Sequence, residues 1–241
     1  QACGKRRITT MFYDPVYFMF LIPGLILAGI ASLLVKTTFS RYARVRSYSG
    51  MTGAQAAERM LRANGVFDVQ VEQTQGFLSD HYDPTRKVLR LSPDVYGSNS
   101  LSAVGVACHE AGHALQHAAA YAPLTLRTLL VPATNFASMF AFYVFFAGLL
   151  FNSQSLVYIG CALFAVGFLF AVVTLPVEWD ASARAKQHLA TTGIVSPDQV
   201  QHAGRVLNAA FLTYLAGAVS SLLTLLYFMF RAGLLGGRSR D

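Results

Sequence analysis

The sequence predicts a mainly α, multi-pass membrane protein with about four transmembrane helices and a small α+β part outside the bilayer. Three observations carry that reading. Apolar residues make up 54% of the chain and charged residues 13%, where an ordinary soluble domain is about 25% charged. The apolar residues gather into four runs, each close to the ~20 residues needed to cross a hydrocarbon core of ~30 Å. Most Lys and Arg residues fall between runs one and two or between runs three and four, the asymmetry of the positive-inside rule.

The first ten residues, QACGKRRITT, hold no apolar stretch and precede Met11; they read as a leader or extraneous remnant outside the fold. Span one occupies 11–36, with its apolar part at Val16–Val35. That part is too long for a secretory h-region, and no small-residue cleavage site follows it. A polar segment, 37–128, comes next. Residues 129–175 form a transmembrane hairpin, Leu129–Leu150 and Ser155–Leu175, because the linker FNSQS is too short for any other arrangement. Residues 176–208 read as a second polar segment, a helix after span three. Span four follows at Ala209–Phe230, with a tail at 231–241. Pro23, Pro132 and Pro176 are expected at kinks or ends, since proline cannot donate the helix hydrogen bond.

Four spans put 37–128 and 176–208 on one side. Lys36, Arg41, Arg44, Arg46 and the further basic residues through Arg205 make that side cytoplasmic, outnumbering Arg231, Arg238 and Arg240 at the tail. The expected location is the plasma or inner membrane. A net charge of +7 is then explained by topology and lipid headgroups. Nucleic acid is excluded as a partner, because the aromatics lie inside the apolar runs instead of alternating with a basic patch. Cys3, Cys108 and Cys161 have no spacing that makes a disulfide framework or a cysteine-based zinc site.

Within 37–128, Thr52 caps a helix that keeps Ala56, Met60 and Leu61 on one face and stops at Asn64-Gly65. FDVQVEQ and KVLRLS alternate as strands do, and the intervening GFLSDHYDPTRK, with Gly and Asp-Pro, reads as a turn region. The expected order is helix, β-hairpin, then a helix from about Leu101. KVLRLS is a candidate edge for pairing with an extended peptide.

That last helix carries ACHEAGHALQH. His109 and His113 are one turn apart and share a face, so two imidazoles can grip one zinc at about 2.0–2.1 Å. Glu110 is placed to take a proton from an attacking water. Ala111 and Gly112 leave room for a substrate. His117 lies roughly 12 Å from His109 along the axis and cannot share the ion. His109, Glu110 and His113 are the strongly polar side chains of an otherwise apolar stretch, and buried charge without a partner is costly.

A catalytic zinc site needs a third protein ligand and an open position. LPVEWDASARA offers Glu178 and Asp180, which point to different sides of a helix. We assign Glu178 to the metal. Asp180 is then a supporting partner of a ligating histidine, an alternative ligand, or the partner of Arg184 in an i,i+4 ion pair. The histidine helix precedes span two and Glu178 follows span three, so both return to one membrane face.

MFYDPVYFMFLIPGL, LSDHYDPTRKVLRLS, ACHEAGHALQHA and LPVEWDASARA together resemble the YugP-like family of bacterial membrane zinc metallopeptidases, over essentially the whole chain from Met11. More distantly the layout is similar to HtpX/Ste24-type membrane proteases. The resemblance implies a zincin-like cytoplasmic part, zinc on His109, His113 and Glu178, Glu110 as general base, and a protein or peptide substrate associated with the membrane. The distant relatives carry an aspartate four residues after the ligand glutamate, where this chain has Ser182. His81, Tyr82, Arg184 and His188 are the candidate oxyanion or substrate contacts. Two other classes compete. A non-catalytic zinc-binding adaptor has no use for Glu110, and a transporter is opposed by spans nearly free of ionisable residues.

Overall fold

A computed structural model describes residues 15–76 and 79–235; the expected leader at 1–10 lies outside the described residues. Element order is α1 (Pro15–Tyr42), α2 (Gly53–Ala63), β1 (Gln70–Gln73), β2 (His81–Asp83), β3 (Val88–Leu91), α3 (Pro93–Tyr96), α4 (Leu101–Ala118), α5 (Ala122–Leu150), α6 (Gln154–Thr191) and α7 (Pro197–Arg231). The protein is mostly helical, and α1, α5, α6 and α7 are long and apolar enough to cross a membrane.

These four helices overrun the apolar runs that identify them. α6 has 38 residues, roughly 57 Å at 1.5 Å per residue, about twice a hydrocarbon core. The expected separate helix at 176–208 is instead the end of α6, a turn, and the start of α7. The turn forms at Thr192-Gly193, where Gly193 takes a φ of +68° and the amides of Ile194 and Val195 return to the Leu189 carbonyl. Pro197 then opens α7, where its missing N–H costs nothing. Pro23, Pro132 and Pro176 all lie inside helices, not at their ends.

The chain divides into two compact units. One takes in the described residues up to Ile30, Leu130–Val172, and those from Ala216 onward. Phe145 is fully buried there, edge-on to Phe228, which stacks on Phe164 at 4.2 Å. The turn at 151–153 joins α5 to α6 as an antiparallel hairpin. A Cβ on Gly160 would stand 2.6 Å from the Phe145 Cβ, and one on Gly148 2.6 Å from the Val157 nitrogen. Glycine at both positions lets the two backbones meet.

The other unit is Ala31–Leu129 with Val173–Leu215. Its core joins Met60 and Leu61 of α2, Leu89 and Leu91 of β3, Val104 of α4, Leu189 of α6 and Leu207 of α7. α2 begins with the expected cap: the Thr52 hydroxyl accepts from the Gln55 amide at 3.3 Å, and the Gln55 side chain accepts from the Thr52 amide at 3.0 Å. It ends at Asn64, followed by Gly65 at φ +76°.

The sheet order is β1-β3-β2. β1 pairs with β3 in parallel, Gln70 opposite Val88, while β2 pairs antiparallel, Tyr82 opposite Leu89. The expected hairpin of FDVQVEQ with KVLRLS is therefore replaced by one between β2 and β3, made inside the stretch read as a turn. Asp83 drives it, its Oδ1 accepting from the Thr85 and Arg86 amides at 3.0 and 3.1 Å. β3 takes the centre because Val88, Leu89 and Leu91 are buried, whereas β1 is largely exposed and β2 no more than half-buried. With both its edges paired, β3 is not the free edge expected of KVLRLS; β2 is an outer strand.

α2 starts hard against α3: a Cβ on Gly53 would lie 2.2 Å from the Val95 carbonyl oxygen. Gly53→Ala is expected to destabilise this unit by about 1–3 kcal/mol through overpacking, read as a lowered thermal midpoint in detergent.

Candidate metal centre

α4 is capped by Ser100, whose Oγ accepts from the Ala103 amide at 3.2 Å. It is buried along almost its whole length. It can pack so deeply because its side chains are small where another backbone meets it. A Cβ on Gly112 would stand 2.6 Å from the Ala181 carbonyl oxygen and 3.2 Å from the Ala181 Cα, and Ala111 is fully buried. The space expected there for a substrate is thus filled by the backbone of α6.

This contact brings Glu178 to the histidines. His109 Nε2 lies 3.2 Å and His113 Nε2 3.6 Å from the same carboxylate oxygen, Glu178 Oε2. The three ligand atoms fall within 4.8 Å of one another, although His109 and Glu178 are 69 residues apart in sequence. Glu178 is 1% exposed. Burial works against a charged His113, yet the Glu178 carboxylate beside it and the nearby Glu110 charge hold its pKa above the ordinary imidazole value. Two imidazole nitrogens and one carboxylate oxygen converging on one point match the donor set of a zinc site.

Each imidazole is held from behind. His113 Nδ1 donates to Gln116 Oε1 at 3.0 Å. The orientation of that amide is fixed, because its Nε2 donates to the Val177 carbonyl at 2.7 Å and to Asp180 Oδ2 at 2.9 Å. Asp180 in turn accepts from Arg184 Nε at 2.6 Å. His113 is thereby locked with Nδ1 protonated and Nε2 turned to Glu178, the tautomer that ligation needs. His109 Nδ1 is 3.1 Å from Ser182 Oγ.

Asp180 therefore does not touch a histidine. It reaches His113 through Gln116, pairs with Arg184 as expected, and is absent from the converging ligand set. Ser182, the point of departure from the distant relatives, is the residue that meets His109. Gln116 and Ser182 escaped the sequence reading, although their spacing held a signal. Gln116 is three residues after His113, and Ser182 four after Glu178, each on the face its ligand uses.

The remaining sequence candidates are engaged elsewhere. His81 Nδ1 bonds the Ser79 carbonyl at 2.8 Å, Tyr82 pairs with His117 Nδ1 at 2.8 Å, and His188 Nδ1 meets Asn64 Nδ2 at 3.3 Å. Burial pushes the Tyr82 phenol up to about 12. His117 is exposed and outside the cluster, as its distance along the helix requires. The groups beside Glu178 are two others. Arg127 Nη1 stands 3.5 Å from Glu178 Oε1, and the Tyr214 phenol lies close enough to feel the Glu178 charge.

Four helices apolar enough to cross a membrane thus accompany a two-histidine, one-carboxylate cluster whose donor atoms could hold a metal ion. The chain belongs to the family described as "Putative neutral zinc metallopeptidase", whose model matches residues 17–233. It is 46% identical over 213 residues to a Bacillus subtilis (strain 168) protein described as "Putative membrane protease YugP", covering 88% of this chain and 95% of that one. No solved structure matches the chain.

Two outcomes follow from the geometry. Gly112→Ala, by forcing α4 from α6, should lower metal occupancy along with thermal stability. Gln116→Ala should weaken zinc binding by about 10–100-fold, whereas His117→Ala should leave it unchanged, both measured by competition with a chromophoric chelator.

Proposed function

We propose that this protein is a membrane-embedded, zinc-dependent endopeptidase that hydrolyses peptide bonds at the cytoplasmic face of the cell membrane. The observation that carries the proposal is the convergence of His109, His113 and Glu178 on one point, with Glu110 on the adjoining position of α4. Membership of a zinc metallopeptidase family supports the choice of metal. The four apolar helices support a membrane-associated protein or peptide as substrate.

When bound, zinc supplies a Lewis acid for the scissile carbonyl and makes its water acidic enough to ionise near neutral pH. His109, His113 and Glu178 hold the ion, and Gln116 and Ser182 keep the imidazoles aimed. Glu110, half-buried and one residue from a ligand, takes the proton of the attacking water and returns it to the leaving amine. β2, which packs against α4, presents His81 and Tyr82 along an outer strand where an extended peptide can add by main-chain pairing.

The test is zinc content per chain, with peptidase activity, in detergent-solubilised protein. Wild type should carry about one zinc. Glu178→Ala should lose it, and Asp180→Ala should bind it more weakly but still bind. Glu110→Gln should keep the metal and lose roughly 10²–10⁴-fold in rate. Bound zinc without any peptidase activity would favour a non-catalytic adaptor; folded wild type without metal would overturn the proposal.

A further inference from the structure

The two oxygens of Glu178 face different partners. Oε2 is turned to both imidazole Nε2 atoms, at 3.2 and 3.6 Å, while Oε1 is turned to Arg127 Nη1 at 3.5 Å. Arg127 lies on α5 near its start, on neither helix that supplies a ligand. Its side chain is 30% exposed where that of Glu178 is 2%, so the guanidinium stands between the buried carboxylate and the outside of the site.

This division bears on how many positions a metal has left. A carboxylate binds a metal through one oxygen or both, and a catalytic site must keep a position open for water. A glutamate free to use both oxygens would crowd that position. A guanidinium is always charged and presents its N–H donors in a rigid fork, so it holds a carboxylate oxygen at a fixed place without competing for the metal. We propose that Arg127 is a positioning residue that keeps Glu178 a one-oxygen ligand, reserving Oε1 for itself and the open position for water. The proposal rests on the metal-site reading above and gives it a fourth partner, from a helix that supplies no ligand.

The experiment uses the full chain in detergent. Zinc affinity is measured by chelator competition, and coordination number by the visible absorption of the cobalt(II)-substituted protein. Arg127→Ala should fold, bind zinc about 10–100-fold more weakly, and show the weaker cobalt bands of a five-coordinate ion. Arg127→Lys should restore the four-coordinate bands. Arg127→Gln, which keeps a donor but no charge, should fall between the two and serves as the second variant if alanine does not fold. Arg205→Ala, whose guanidinium meets Tyr42, should behave as wild type. Arg127→Ala with wild-type affinity and wild-type cobalt bands would overturn the assignment. Wild type that takes up neither metal would overturn the metal site and this inference together.

Discussion

The close approach of α4 and α6 at Gly112 and Ala181 governs the rest of the site. With less than 3 Å available to any side-chain carbon on Gly112, the two backbones nearly touch, and everything contributed by α6 is measured from that contact. Glu178 lies one turn before Ala181 and reaches both histidines. Ser182, just beyond, reaches His109; Asp180 and the Val177 carbonyl reach Gln116. A helix pair held apart by ordinary side chains would run about 8–10 Å between axes, and a glutamate would not bridge a wider gap to both imidazoles.

The polar groups so gathered form one connected set. From Arg184 through Asp180 and Gln116 to His113 each donor has an acceptor, and the line ends on a histidine of the cluster. In a low-dielectric interior such a chain is either complete or destabilising, since an unpaired member loses its water without replacement. Gln116 is fully buried and its amide makes three hydrogen bonds, so its orientation is determined and so is the tautomer of His113. Asp180 thus acts on the histidine at one remove, and a direct carboxylate–histidine bond is replaced by an amide that can both accept from the ring and donate to the acid.

Much of this was legible in the sequence. Uninterrupted apolar runs named the four long helices, because a bilayer core leaves little choice of composition. Thr52 and Gly65 bounded α2, because caps act over a few residues. The one-turn spacing of His109 and His113, with Glu178 beyond a hairpin, named the converging side chains. Other features depended on contacts far apart in the chain. Whether KVLRLS paired on one edge or two was decided by which strand had the most to bury, and the short β2 had too few residues to announce itself. Helices α6 and α7 ran past their apolar runs because polar residues of good helix propensity continue a helix as well as apolar ones. Arg127 read as one more topological charge, since nothing local reveals that it meets a carboxylate on another helix.

The sequence distance between His109 and Glu178 has a consequence for how the molecule is made. Two of the converging ligands lie on α4, but the third is encoded after the whole of α5 and the first part of α6. A nascent chain that has not yet produced both arms of that hairpin carries two histidines and no carboxylate to complete the set. The cluster is therefore assembled only when the chain has passed through both arms of the hairpin, and a product truncated before Glu178 lacks its third side chain.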